Sequence, residues 1–200
     1  MKALLTGITG NLGFEIAHSL NQREVKVLPI VRNTSSLKNL GLVVEDFIEA
    51  DLTDNSRAIN PNGIDCIIHS AGNVHFEKSG DTNTKMMSSI IAIAKNLKVP
   101  IYYVSTAFLW REPEPKNKPR NAYEKDKYRA EEILRHSDVR HTIFRPSVLV
   151  GSSETGRLQN WSGYYLLVNK FLESAQTENE AKVRFPNLSL IHISEPTRPY

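Results

Sequence analysis

The feature that most constrains this chain is a glycine-rich stretch directly after its first apolar run. The stretch TGITGNLG places Gly7, Gly10 and Gly13 between a strand-like run and a helical one. Without Cβ atoms, the backbone can turn tightly there and approach a phosphate closely, and the positive end of the helix favours the phosphate charge. Strand, spacing and helix together predict a dinucleotide-binding turn, against the alternative of a simple tight turn. The residues that we expect at this turn are Gly7, Thr9, Gly10, Asn11, Leu12 and Gly13.

Strand-like and helical runs alternate along the first 151 residues. Helices are predicted at about 11–22, 82–97 and 122–135. Strand-like runs rich in Val and Ile lie between them, namely KALLTG, EVKVLPIVR, VVEDFIEADL, IDCIIHSAG, PIYYVST and HTIFRPSVLVG. Strands separated by helices of this length indicate βαβ crossovers. We therefore expect residues 1–151 to form an α/β domain, a doubly wound parallel sheet of the Rossmann type.

Beyond residue 151 the alternation of strands stops and an aromatic, mostly helical stretch begins. We expect residues 152–187 to be the start of a smaller substrate-binding region that is truncated. The last segment, 188–200, begins with LSLIHISEPTR, which resembles a translated DNA sequencing adapter, so we expect a non-native tail there. The alternative is a genuine strand, SLIHI, closed by a Pro-rich turn.

Composition disfavours several classes of protein. No run approaches the ~20 apolar residues that cross a bilayer, and the start MKALLTGITG lacks a signal-peptide pattern, so we expect a soluble, cytoplasmic protein. The net charge is only +3 and the basic residues are scattered, which does not favour a nucleic-acid partner. Cys66 is expected to be a buried small hydrophobe. His69 and His75 are expected to be structural, because no paired Cys/His spacing predicts a metal site.

The end of the second strand-like run bears on the choice of cofactor. Arg32 lies where an NAD-specific domain usually has Asp or Glu for the ribose hydroxyls. A guanidinium there can pair with a 2′-phosphate, and no carboxylate adjoins it in the sequence. We therefore predict NADP (NADPH) in preference to NAD; the alternative for Arg32 is a solvated charge. Later strand ends contribute the remaining expected contacts, which are Asp51 and Leu52 beside the adenine and Ser70, Ala71 and Gly72 beside the cofactor.

The motifs TGITGNLG, DL, HSAG, YVSTAF, YEKDK and FRPSVLVG, in this order, resemble the extended short-chain dehydrogenase/reductase superfamily. Within that superfamily, STAF, YEKDKYRAE, RPSVLVGSSETG and SGYYLL are similar to the thioester-reductase-like, male-sterility type domain, the group that includes fatty acyl reductases. The resemblance extends from residue 1 to about residue 167. It implies an NAD(P)-dependent oxidoreductase with a small-molecule substrate, and a homodimer is left open.

Hydride transfer requires particular groups beside the nicotinamide. A hydride arriving at a carbonyl carbon leaves negative charge on oxygen, which an acid must protonate and a second donor must hold. Tyr123 is the candidate acid, and Lys127, one turn later, is expected to lower the Tyr123 pKa and to orient the cofactor. The resemblance assigns the Ser/Thr position of the triad to Thr106, with Ser105 as the less favoured neighbour. Pro146 is expected near the nicotinamide, and Arg145 is expected to be structural.

These residues also have plainer interpretations. Tyr123 and Lys127 would both lie on one face of an ordinary surface helix. Tyr128 competes for the tyrosine role, but position 132, four residues later, is Glu132 rather than Lys. The remaining polar residues of this stretch, namely Lys125, Asp126 and Arg129, are assigned to its solvated face, although Asp126 stands where the superfamily commonly has Ser.

Three functions are consistent with these patterns. The first is an NADP(H)-dependent oxidoreductase that transfers a hydride to a carbonyl or acyl-thioester substrate. The second is an NAD-dependent nucleotide-sugar epimerase or dehydratase, which uses the same fold and the same triad. The third is a non-catalytic, NADP-sensing regulatory protein, whose signature would be loss of the triad.

Overall fold

The computed structural model describes residues 1–37, 40–42, 44–54, 59–74, 80–109, 119, 121–151, 156, 158–159 and 164–177. His75 and residues 178–200, which include the expected tail, lie outside the described residues. The chain divides into two compact units, Met1–Asn160 and Trp161–Tyr200. The domain boundary at residue 151 and the substrate-binding role of 152–187 stay predictions.

The first unit is built on a parallel sheet. Its strands are β1 (Lys2–Thr6), β2 (Lys26–Val31), β3 (Ile48–Glu49), β4 (Cys66–His69), β5 (Ile101–Val104) and β6 (His141–Phe144). They lie in the order β3-β2-β1-β4-β5-β6, and every neighbouring pair is parallel. This is the order of a doubly wound, dinucleotide-binding sheet, so the predicted fold class is confirmed. The strand order reverses between β1 and β4, and a doubly wound sheet has a crevice at the carboxyl ends of its strands at such a point.

The helices agree closely with those predicted. They are α1 (Asn11–Asn21), α2 (Thr82–Leu97) and α3 (Ala122–Arg135) in the first unit, and α4 (Tyr164–Thr177) in the second. Local signals account for the start of α3, because the Asn121 side chain accepts the Glu124 N–H at 2.8 Å as an N-cap. At the end of α2, Lys98 adopts the left-handed conformation that commonly terminates a helix. No helix among the described residues has both the length and the hydrophobicity to cross a membrane.

Two strands are shorter than the sequence runs that predicted them. The run VVEDFIEADL forms only β3, which pairs with β2 through Ile48 and Glu49 at the edge of the sheet. The preceding residues, Glu45 to Phe47, are exposed and bury no side chain that would reward a longer strand. The last strand ends at Phe144, two residues before Pro146, which has no N–H to extend the ladder.

Apolar side chains cover both faces of the sheet. In β1, Leu4 packs in a larger cluster with residues of α2 and α3, and Leu5 packs in a smaller cluster with α1. Both leucines are fully buried, because successive side chains of a strand point to opposite faces. The helices therefore form a layer on each side of the sheet. Cys66 is buried at the start of β4, as predicted.

Candidate active site

The glycine turn, residues 6–13, brings α1 and the end of β4 into close contact. Gly7 has a φ of 80°, and its carbonyl accepts the Gly10 N–H at 2.9 Å. A Cβ on Gly7 would lie 2.6 Å from the Ala71 nitrogen, and one on Gly13 would lie 2.0 Å from the Gly7 oxygen. Such distances are impossible for real side chains, so this turn exists only because the Cβ atoms are absent.

The N-terminus of α1 opens onto a small pocket. Gly10 is the N-cap residue, and Asn11 and Leu12 begin the helix without an acidic side chain in the first turn. The pocket has a volume of about 60 Å³, and its lining residues come from α1 and from the segment after β6. Of the described residues, its lining comprises Asn11, Leu12, Glu15, Leu149, Val150, Gly151, Leu158 and Gln159. It therefore belongs to the glycine turn and does not include Thr106, Tyr123 or Lys127.

The end of β4 is tied to the end of β1. The Ser70 hydroxyl donates to the Thr6 carbonyl at 2.7 Å, and the Ala71 N–H donates to the Thr6 hydroxyl at 3.1 Å. These bonds hold residues 70–72 beside Gly7, within the predicted binding region. The predicted cofactor contacts of β4 and of the glycine turn are therefore neighbours in the structure.

His69, the last residue of β4, contacts both β1 and β5. It is buried, its Nδ1 lies 2.7 Å from the Thr6 hydroxyl, and its ring stacks on Tyr103 with centroids 5.4 Å apart. Burial and the nearby charge of Lys127 lower the pKa of His69 to about 3. The imidazole is therefore neutral at ordinary pH and plays the structural part predicted for it.

Thr106 and Tyr123 lie together. Thr106 follows β5, Tyr123 lies in the first turn of α3, both are buried, and their hydroxyl groups are close enough for Thr106 to affect the pKa of Tyr123. Burial raises the pKa of Tyr123, and the nearby Thr106 hydroxyl opposes that rise. The sequence predicted a lowering by Lys127, whereas the net shift is upward, because desolvation of the phenolate is the largest effect. Ser105 is also buried, but its hydroxyl lies near Tyr103 and Glu131 instead.

Lys127 reaches back to β5. Its Nζ donates to the Tyr103 hydroxyl at 3.2 Å and to the Val104 carbonyl at 3.1 Å, and it lies 4.8 Å from the centre of the Tyr103 ring. Burial lowers the pKa of Lys127 to about 8, while the charges of Asp126 and Glu131 oppose that fall. The side chain is therefore still mainly cationic at neutral pH.

The other polar residues of α3 divide into two groups. Lys125 and Arg129 are exposed, as predicted, and Tyr128 is exposed too, away from Thr106. Asp126 was assigned to the solvated face, and that assignment is wrong, since only 1% of the residue is exposed. The reason is that α3 packs against α2, so the face carrying Asp126 meets the first turn of α2.

Sequence reasoning missed Asn83 and Glu131. Asn83 is buried at the start of α2 and binds Asp126, a contact that spacing along the chain could not reveal. Glu131 is buried and holds Arg145 in a two-pronged ion pair, with oxygen–nitrogen distances of 2.9 and 2.5 Å. Its spacing was a usable signal, because Tyr123, Lys127 and Glu131 follow one another at intervals of one helical turn.

The remaining predicted contacts lie at two strand ends. The carbonyl of Pro146 accepts the Ala107 N–H at 2.9 Å, which places Pro146 beside Thr106. Leu52, after β3, is buried in the larger core. The Ser89 hydroxyl donates to the Leu52 carbonyl at 2.6 Å.

Arg32 and Asp51 are both exposed, at the ends of β2 and β3. Asp51 accepts hydrogen bonds from the N–H and the hydroxyl of Thr53, and these bonds, with a smaller contribution from the charge of Arg32, lower its pKa. Although no carboxylate adjoins Arg32 in the sequence, the fold thus brings one within electrostatic reach of it.

Comparison with known proteins identifies the family. The family model described as the NAD dependent epimerase/dehydratase family matches residues 3–187. The chain belongs to this family. A comparison with curated proteins found no match.

Solved structures share the fold of this epimerase/dehydratase chain. A thiolation-reductase di-domain from an archaeal non-ribosomal peptide synthetase has a TM-score of 0.70 at 19% identity, covering 88% of this chain and 59% of that one. The Bordetella bronchiseptica enzyme WbmH, in complex with NAD⁺, has a TM-score of 0.69 at 22% identity, covering 87% and 62%. UDP-glucose 4-epimerase from Bifidobacterium longum, in complex with NAD⁺ and UDP, has a TM-score of 0.63 at 20% identity, covering 78% and 56%. The chain thus spans less than two thirds of the length of these neighbours.

Proposed function

We propose that this chain is the cofactor-binding part of an NADP(H)-dependent oxidoreductase of the extended short-chain dehydrogenase/reductase type. It transfers a hydride to a carbonyl or acyl-thioester substrate and uses Thr106, Tyr123 and Lys127. The observation that carries the proposal is that Thr106 and Tyr123 are both buried and interact with each other, one helical turn from a buried, cationic Lys127. A hydroxyl, a phenol and an ammonium are the groups that such a transfer requires.

The residues present fit a dinucleotide. Gly7, Gly10 and Gly13 would shape the turn that holds its pyrophosphate, because their missing Cβ atoms let the backbone fold tightly at the N-terminus of α1. Arg32 would pair with the 2′-phosphate of NADP. When bound, the nicotinamide supplies the hydride.

Each side chain of the triad has a distinct task in this proposal. The Thr106 hydroxyl holds the substrate oxygen. The Tyr123 phenol, whose pKa is raised by burial, stays protonated at neutral pH and gives its proton to that oxygen. Lys127, protonated below its pKa of about 8, supplies the positive charge that balances the developing phenolate. Turnover is therefore expected to fall as the pH rises above about 8.

The test is NADPH oxidation with acyl-CoA thioesters and aldehydes as trial substrates. Tyr123→Phe removes the proton donor, and we expect turnover to fall by about 10²-fold or more. Tyr128→Phe is the matched control on the exposed side of the same helix and should leave turnover unchanged. Unchanged turnover in Tyr123→Phe would exclude the mechanism. Binding of NADP without turnover of either substrate class would instead favour the regulatory, NADP-sensing alternative.

The second candidate is an NAD-dependent nucleotide-sugar epimerase or dehydratase. The family match supports it, and so does the proximity of Asp51 to Arg32, since a carboxylate there repels a 2′-phosphate. Titration of the protein with NADP and NAD separates the two candidates. The first predicts that Arg32→Ala weakens NADP binding about tenfold or more, leaves NAD binding unchanged, and that Asp51→Asn strengthens NADP binding. Tight retention of NAD, unaffected by Arg32→Ala, favours the second.

A further inference from the structure

The side chain of Asp126 caps a helix other than its own. Its Oδ2 accepts the Asn83 backbone N–H at 2.8 Å, and its Oδ1 accepts the Thr84 N–H at 3.0 Å and the Thr84 hydroxyl at 2.7 Å. These are the first-turn groups of α2, which an N-cap residue normally satisfies. The residue at the N-cap of α2 itself is Asp81, which makes no side-chain cap bond in the described part of the chain and is half-exposed beside Lys85. A carboxylate on α3 therefore takes over the cap of α2.

Asn83 carries this contact on to the loop after β4. Its Nδ2 donates to Asp126 Oδ2 at 2.9 Å and to the Asn73 carbonyl at 3.1 Å, while its Oδ1 accepts the Asn73 N–H at 2.9 Å. The Asn83 side chain thus binds both the N–H and the carbonyl of Asn73. Because Asp126 binds Asn83, the position of this loop depends on α3.

Gly72 shows how close the loop comes to Lys127. A Cβ at Gly72 would lie 3.2 Å from the Lys127 Nζ and 3.3 Å from the Asn83 Oδ1. The backbone of the loop is therefore packed between the ammonium and the amide. Any shift of Asn83 would change the space beside Lys127.

Burial lowers the pKa of Lys127, and the charges of Asp126 and Glu131 oppose this fall. Glu131 is also buried near Lys127, but the Arg145 and Arg135 guanidinium groups bind it and balance its charge. Of the described residues, His69 on β4, which is neutral, and the Tyr103 phenol on β5 also lie beside Lys127.

We propose that Asp126 is a positioning residue of the candidate active site, which locks α2, the loop 70–73 and Lys127 into one arrangement and places a negative charge beside the Lys127 ammonium. A serine at this position, common in the superfamily that the chain resembles, would cap α2 with a hydroxyl but would bring no charge. The catalytic consequence rests on the proposed function. The contacts of Asp126 and its effect on the charge of Lys127 are independent of the proposed function.

The test follows Lys127 directly. The side-chain resonances of Lys127 are titrated by heteronuclear NMR in the protein, with Lys127→Arg used to assign them. Asp126→Asn and Asp126→Ser remove the charge and keep an oxygen that can cap α2. In both variants we expect the titration midpoint of Lys127 to fall by roughly one pH unit. Asp81→Asn is the control, since it removes an exposed carboxylate from the same end of α2 and should leave the midpoint where it is.

NADP and NAD provide a second readout. In both Asp126 variants, the affinity for either nucleotide should begin to weaken at a lower pH than in the unaltered protein, because Lys127 loses its proton earlier. An unchanged Lys127 midpoint in Asp126→Asn overturns the proposal, and so does a loss of α2 structure in both variants, which would make Asp126 merely structural. Absence of hydride transfer in the unaltered protein would instead refute the proposed function and leave the titration result standing.

Discussion

The glycine turn and the polar cluster of α3 both lie at the carboxyl ends of the strands but are built in opposite ways. The glycine turn consists of backbone that approaches backbone where no side chain fits. The polar cluster, which we define as Thr106, Tyr123, Asp126, Lys127 and Glu131, consists of side chains that are buried although they carry hydroxyls or charges. An added Cβ atom has no room in the glycine turn, whereas the polar cluster is destabilised when a buried group loses its hydrogen-bond or ion-pair partner. The two are therefore expected to fail for different reasons when they are mutated.

The largest effect is expected in the glycine turn. In Gly13→Ala the new Cβ would lie 2.0 Å from the Gly7 oxygen, and both groups belong to backbone that cannot rotate away. We expect a loss of at least about 3 kcal/mol in the free energy of unfolding, measured by urea denaturation.

The control for this substitution is Gly63→Ala. Gly63 has a φ of 68° and nothing within 4 Å of its Cβ position, so only the backbone conformation opposes alanine, at about 1 kcal/mol. Equal losses in the two variants would mean that close packing does not distinguish the glycine turn.

The polar cluster is expected to break when its buried ion pair is cut. Glu131→Gln leaves the Arg145 guanidinium without its carboxylate, and we expect the free energy of unfolding to fall by about 3 kcal/mol. Arg135→Gln removes the other partner of Glu131. The Arg135 side chain is 53% exposed, so the loss in unfolding free energy should be less than about 1 kcal/mol. If the two variants were equally stable, the cluster would not depend on buried charge.

His69 joins the two regions and predicts a pH dependence. Its pKa is about 3 in the folded protein and 6.5 for an ordinary histidine, so the unfolded chain binds more protons between these two pH values. Stability therefore decreases as the pH falls through this window, by up to about 1.4 kcal/mol per pH unit. His69→Gln should flatten the dependence measured by urea denaturation at several pH values. A slope in His69→Gln identical to that of the unaltered protein would contradict the burial argument.

The smallest effect concerns the helix that carries the cluster. Asn121→Ala removes the side chain that accepts the Glu124 N–H, and the expected loss in unfolding free energy is about 1 kcal/mol. Asn96→Ala, near the end of α2, removes only an exposed side-chain bond to Asn60 and should cost a few tenths of a kcal/mol at most. A loss in Asn96→Ala as large as in Asn121→Ala would show that the cap has no special weight.

The helices illustrate how much could be predicted. The bounds of α2 and α3 came out as expected, because apolar spacing and end signals act within a few residues. The bounds of the third strand were not predicted correctly. Its length depends on whether the edge of the sheet buries its side chains. Asp126 was placed on the wrong face because its partner Thr84 lies 42 residues away, and nothing near Asp126 in the sequence signals that contact.

The sequence by itself determined the doubly wound sheet and the position of the glycine turn, because both follow from short-range periodicity and from residues without side chains. Only the tertiary structure decided which polar side chains are buried and which partners they contact. It buried Asp126 against α2, set Lys127 against Tyr103, and brought Asp51 within reach of Arg32. Burial and electrostatic contact depend on distance in space, and these partners come from elements that are far apart along the chain.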